Sequence, residues 1–157
     1  MNLLPMWILA AAIAFAQPAD SEKQAVVRTV ERTFKAMAAR DAAALRATLF
    51  PGAQFHAVRP DGSVSAASSE EFIQRITAAK EPPLERMWDP VVLISGRLAS
   101  LWAGYDFHRG AQFSHCGVDA VHLVKTIEGW KITAIAYTVR KDGCPPSPLG
   151  PPPRPRD

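Results

Sequence analysis

Cysteine is scarce in this chain of 157 residues, which has only Cys116 and Cys144, and no C-x-x-C spacing. That removes the paired-thiol pattern on which redox and zinc motifs are built. There is no G-x-S-x-G, and the nine glycines are scattered at turns rather than grouped before a helix, so a nucleophile elbow and a phosphate cradle both lack their sequence basis. Charge of one sign is missing too. The net +3 is spread over Lys and Arg interleaved with acids, without a basic cluster carrying aromatics, which argues against a nucleic acid partner. The longest apolar run, Leu3 to Ala16, falls short of the roughly 20 residues that cross a bilayer.

That run ends in Ala14-Phe15-Ala16, a small-x-small site before Gln17-Pro18, the pattern of a secretory signal peptide, although its start carries no Lys or Arg. Cleavage near Ala16-Gln17 gives a secreted or periplasmic protein, with no membrane association afterwards. In an oxidising compartment an even pair of cysteines reads as a disulfide. At the other end, "CPPSPLGPPPRPRD" holds half of the fourteen prolines. Such composition favours polyproline II or disorder. The expected division is a signal peptide over 1–16, one domain over 17–144 and a disordered Pro-rich tail over 145–157.

Within the domain, Ser21 and Gln24 form a capping box. Val27, Val30, Phe34 and Met37 follow at helical spacing, predicting an amphipathic helix to about Ala39. Asp41 caps a short helix from Ala42 to Leu49, stopped by Pro51-Gly52. "AQFHAV" (53–58) reads as a strand turned by Pro60-Asp61-Gly62 into a weaker partner near Val64. Ser68 with Glu71 then opens a third helix bearing Phe72, Ile73 and Ile76. After Pro82-Pro83 the period becomes two, with strands predicted at about 84–94, 98–107, 113–125 and 130–140. Helices followed by a mostly antiparallel meander make an α+β fold with the helices on one face.

This order, with "RDAAALRATLFPGAQF" after the first helix, "LWAGYDF" in mid-sheet, "HCGVD" and a closing "EGWKITAIAYT" hairpin, resembles the nuclear transport factor 2-like superfamily over roughly residues 22–144. Within it, the chain is similar to the secreted, polyketide-cyclase-like members labelled putative lumazine-binding. The resemblance implies a cone in which a strongly curved sheet wraps a long helix around a pocket, and also a homodimer through the outer sheet face. Ile135, Tyr137, Val139 and Val118 are expected to be exposed on that outer face. Such cones host isomerases, dehydratases, cyclases and hydrolases as well as members without chemistry, so the fold does not give the function. Laid over "PGAQFHAV", the base of the ketosteroid isomerases falls on Ala57, and no tyrosine stands in the first helix, which disfavours that chemistry.

Period two along Phe113 to Lys125 sets His115, Gly117 and Asp119 on one face and Cys116 and His122 on the other. If the connection between 107 and 113 holds two or four residues, Trp102 and Gly104 share the face of His115 and Asp119. Two readings follow. In one, Asp119 and His115 form a general base in a small-molecule pocket walled by Trp102. In the other, Asp119 pairs with Arg140 or Thr138 and His115 is a satisfied edge residue. No metal is expected, because His115 and Cys116 diverge and His122 lies about 20 Å further along at roughly 3.3 Å per residue. No cofactor is implied either. The function expected is binding of a small, partly apolar ligand or a partner chain without turnover. The alternative is a cyclase, dehydratase or isomerase that uses Asp119 and His115.

Taking Glu128-Gly129 as a two-residue turn, Cys116 stands opposite Lys141, and Cys144 lies three residues further on, past an Asp142-Gly143 bend. A Cys116–Cys144 disulfide is then within reach. Its loop of 27 intervening residues corresponds to roughly 3 kcal/mol in the chain-entropy model.

Overall fold

The computed structural model describes residues 18–152, so the expected signal peptide over 1–16 and the last five residues lie outside the described residues. Helix α1 (Pro18–Ala39) begins three residues before the expected Ser21, with a proline in the first turn, where its missing N–H costs nothing. Val26, Val30, Phe34 and Met37 line its buried side. Thr33 is buried among them, its hydroxyl hydrogen-bonded with the Thr29 carbonyl at 3.0 Å and with the Thr48 hydroxyl at 2.8 Å. Arg40 adopts a left-handed φ of 55°, which ends the helix. The Asp41 carboxylate then accepts from the Ala44 N–H and opens α2 (Ala42–Thr48). Helix α3 (Ser69–Thr77) starts with the expected Ser68–Glu71 capping box. No helix among the described residues is long and apolar enough to cross a membrane.

The strands are β1 (Leu49–Val58), β2 (Val64–Ser68), β3 (Pro83–Ser95), β4 (Leu98–Arg109), β5 (Gln112–Thr126) and β6 (Gly129–Thr138). They form one sheet in the order β2-β1-β6-β5-β4-β3. All neighbours are antiparallel except β1 and β6, which run parallel. Register irregularities at Asp89-Pro90, Ser114 and Thr133 bend this sheet. Its concave face packs Leu101, Val121, Leu123, Ile132 and Ile135 against α1, and Phe55 stacks on Phe72 of α3 with centroids 3.9 Å apart. The α+β architecture with helices on one face is as the pattern predicts, and the curved sheet is as the resemblance implies.

Two of those irregularities overturn expectations about which way side chains face. The β4–β5 turn does hold two residues, but Ser114 is an extra residue, so Asp119 stands opposite Ala103 rather than Trp102. Trp102 lies on the convex face, 57% exposed, and is no wall of a site shared with Asp119. The β5–β6 turn is Ile127-Glu128, one residue earlier than expected, which shifts the register by two and keeps the faces, and the extra residue Thr133 then shifts it by one. Ile135 and Tyr137 therefore face the concave side, not the outer surface. A slip of one residue reverses every side chain beyond it, because strand side chains alternate with period two.

Cys116 consequently faces Arg140, not Lys141, through paired backbone hydrogen bonds of 2.9 Å each way. The disulfide to Cys144 is present with a Cα separation of 6.0 Å. Cys144 reaches its partner from four residues beyond Arg140, the Gly143 φ of 67° supplying the bend.

Candidate functional site

The concave face gathers its polar groups at the end of the sheet away from the Thr126–Gly129 hairpin. Asp119 is 1% exposed and opposite Ala103 and Tyr137. Across two strands, Glu85 of β3 pairs with Phe107 of β4 and projects to the same side, where its carboxyl meets that of Asp119. Asp119 Oδ2 is buried and finds no hydrogen-bond donor. Among the described residues neither carboxyl has a salt bridge, and the Arg140 guanidinium points to Cys116 Sγ instead. Thr138 is also committed elsewhere, its hydroxyl accepting from the Val118 N–H. Neither partner of the structural reading of Asp119 is thus engaged with it.

Both carboxyls are pushed up from the ordinary carboxylate range. For Glu85 burial is the largest cause, followed by the negative charge of Asp119, the hydrogen bond between the two and the charge of Asp106. Glu85 keeps some solvent contact, yet protein crowds its carboxyl closely enough to strip most of its hydration. For Asp119 burial raises and the hydrogen bond with Glu85 partly offsets. Two acids in mutual contact away from cations hold a proton between them, so one is neutral where isolated carboxylates are ionised.

Tyr105, Phe107 and Tyr137 lie near the pair, and His115 stands further along β5 against Phe107. Tyr105 is 1% exposed and donates its hydroxyl to the Thr138 carbonyl at 2.7 Å. That carbonyl folds over Gly117, where an added Cβ would meet it at 2.0 Å, so only glycine fits there. Burial, then the negative charges of Glu85 and Asp119, push the Tyr105 phenol up. Burial also raises Tyr137, against an opposing pull from Arg75. His115 stacks on Phe107 at 4.8 Å and meets Tyr105 edge-on at 5.8 Å. Burial, with Arg109 and Lys141 nearby, pushes it down to about 4, which leaves a neutral imidazole near pH 7.

His115 and Asp119 share the predicted face but do not touch. Four residues of strand separate them by roughly 13 Å, and the Tyr105 ring stands across from Gly117 between them. The partner of Asp119 is Glu85, which sequence reasoning missed. Period two does place Glu85 with Met87 on one face, but its position two residues after Pro83 reads as an exposed strand start. Its burial depends on α1 crossing over β3. A groove of about 300 Å³ runs along that crossing, lined by Glu31, Phe34, Lys35, Glu85 and Met87 among others. Ala57 lies buried on the concave side opposite Tyr137 and brings no chemistry. No cluster of three metal-ligating side chains occurs among the described residues.

Residues 21–138 match the family described as Putative lumazine-binding. No curated protein matches the chain in sequence. Similar solved structures include a protein from Streptomyces avermitilis described as a putative dehydratase from the NTF2-like family. It is 17% identical, with 78% of this chain and 98% of that chain covered, at a TM-score of 0.64. An NTF-2 like protein of unknown function from Silicibacter pomeroyi is 20% identical, with coverages of 79% and 100% and a TM-score of 0.63. An NTF2-like superfamily protein from Salmonella enterica serovar Typhimurium is 15% identical, with 80% and 96% covered, at 0.64. At these identities the likeness shows an NTF2-like fold, and the match over residues 21–138 shows the family: the chain belongs to the Putative lumazine-binding family.

Proposed function

We propose that this protein binds a small, partly apolar molecule at the concave face, with Glu85 and Asp119 as its polar anchor. The observation that carries the reading is the buried Asp119 oxygen without a donor, set beside a second carboxyl with Tyr105, Phe107 and Tyr137 near the pair. Buried polar groups in proteins are mostly satisfied, and among the described residues only the His108 ring nitrogens share this state, so an orphaned carboxylate oxygen in an aromatic setting is suited to a guest. A fragment screen by two-dimensional NMR tests this. Shifts should centre on Asp119, Tyr105 and Tyr137 and vanish in Asp119→Asn; shifts confined to the convex face would overturn it.

A second reading rests on the raised carboxyls: a pair that holds one proton near neutral pH can take and return a proton, as a dehydratase or isomerase requires. There Asp119 and Glu85 would exchange the proton, and His115 would act as a neutral hydrogen-bonding wall. A substrate screen whose hits lose turnover in both Glu85→Gln and Asp119→Asn would favour catalysis over binding.

Export and assembly complete the proposal. The chain is exported after cleavage near Ala16-Gln17, leaving the domain over 17–144 and the Pro-rich tail, and the mass of the secreted protein checks this. A homodimer would use the convex face, where Val91, Leu93, Leu98 and Trp102 are each more than half exposed. Sedimentation should then show a dimer that Trp102→Ser dissociates, whereas a monomer at high concentration would count against it.

A further inference from the structure

The concave site contains acids but no base to match them. Among the described residues, Arg86 is engaged by Asp106 on the other face, Arg140 points to the disulfide, and no basic side chain bonds to Glu85 or Asp119. Desolvated carboxyls facing one another repel when both are ionised, and the fold supplies no cation to relieve that. The rings of Tyr105 and Tyr137 lie near both carboxyls, and an aromatic ring can attract a positive charge. We infer that the ligand of this site is a small protonated organic amine, whose ammonium replaces the proton between Glu85 and Asp119 and whose apolar body lies against the rings. This rests on the concave-face reading above and names its ligand class.

The surroundings agree with that charge and size. The groove that reaches Glu85 along α1 holds about 300 Å³, the lower end of the range for small-molecule sites. Glu31 and Lys35 face it from α1 and nearly cancel, so its entrance does not repel a cation. Tyr105 has its hydroxyl committed to Thr138 and keeps only its ring for the guest. From other elements, Asp106 adds negative charge behind Glu85, Arg75 and Arg59 act on Tyr137, and Arg109 and Lys141 act on His115. Arg59, Arg75, Arg109 and Lys141 thus bear on the aromatic residues, while Lys35, which lines the groove at Glu85, is balanced by Glu31. An anionic ligand would meet two acids, and a neutral one would leave the charge of the pair uncompensated.

The test is calorimetry on the exported protein with benzylamine, benzyl alcohol and benzoate between pH 6 and 8. Benzylamine should bind at least tenfold tighter than benzyl alcohol, and benzoate should not bind. Because the ammonium competes with the shared proton, binding should release protons, seen as a dependence on buffer ionisation enthalpy. The affinity should also rise with pH while the amine stays protonated. Asp119→Asn and Glu85→Gln, each checked for folding by circular dichroism, should bring benzylamine down to the level of the alcohol. Equal binding of alcohol and amine, or an amine preference that survives both variants, would overturn the amine assignment and leave the concave-face reading standing. Failure of all three probes to bind, or binding that maps to the convex face, would overturn both.

Discussion

Asp106 and Asp119 sit on adjacent strands, are 4% and 1% exposed, and live in opposite electrostatic states. Asp106 faces the convex side. There the Arg86 guanidinium donates to both its carboxylate oxygens, Ser147 adds a hydrogen bond, and His108 Nε2 lies 3.5 Å away. Burial alone would raise its carboxyl, but Arg86, helped by Ser147 and His108, outweighs that and holds it below the usual range. Asp119 has the same chemistry and similar burial with another acid as its partner, and is pushed up. The difference teaches that burial raises both carboxyls and that only a cation in contact, Arg86 at Asp106, outweighs it. The acid with a cation is bound into the scaffold, and the acid without one is the anchor in the binding reading proposed above.

The comparison breaks most sharply at Arg86. Arg86→Met leaves Asp106 buried and without its cation and should cost about 3–5 kcal/mol in urea denaturation. Asp119→Asn, which removes an acid that has no cation, should cost less than about 1 kcal/mol near neutral pH. Similar losses for both variants would erase the distinction.

Next comes the disulfide. Cys116 stands opposite Asp106, and Cys144 carries the segment that brings Ser147 to that carboxylate. Cys144→Ser should lower stability by about 3 kcal/mol, the loop-closure figure for this separation. It should also free Ser147, while leaving ligand binding on the concave side unchanged. The intact bond should appear as a mass about 2 Da below that of the reduced chain.

Gly117→Ala puts a methyl against the Thr138 carbonyl that holds Tyr105. It should cost about 1–3 kcal/mol by overpacking and weaken binding at the concave site, with no effect on the Asp106 cluster. Unchanged thermal stability would show that the two strands part freely there.

The smallest effect is a slope. A carboxyl raised in the folded state binds more protons there than when unfolded, so its stabilising contribution is complete below the unfolded value of about 4 and declines as pH rises through the folded value. Asp106, which is lowered, contributes above the unfolded value and loses that contribution as pH falls through its folded value. Denaturation midpoints measured from pH 4 to 8 should therefore fall less steeply for Asp119→Asn than for the wild type, by up to about 1.4 kcal/mol per pH unit of raised pKa. A parallel pair of curves would show that Asp119 carries no raised pKa.

Much of this was legible in the residues. The Ser68–Glu71 box, the Asp41 cap and the change of period after Pro82-Pro83 act over three or four residues, and the elements formed within a few residues of their predicted bounds. The disulfide followed from compartment and from a bend that needs only local chain. The site was half legible: Asp119 and His115 do face inward together, but Glu85 was not visible, because nothing within β3 announces the helix that covers it.

The sequence by itself determined the helices, the strands, the family and the Cys116–Cys144 pairing, since capping, periodicity and turn chemistry are local. Only the tertiary structure decided which face Trp102, Ile135 and Tyr137 occupy and which partner each aspartate meets. Alternation carries a side chain's direction only as far as the register is unbroken, and the extra residues at Ser114 and Thr133 each reverse it. A bulge of one residue is almost invisible in a strand's composition, yet it separates an acid that meets an arginine from an acid that meets an acid.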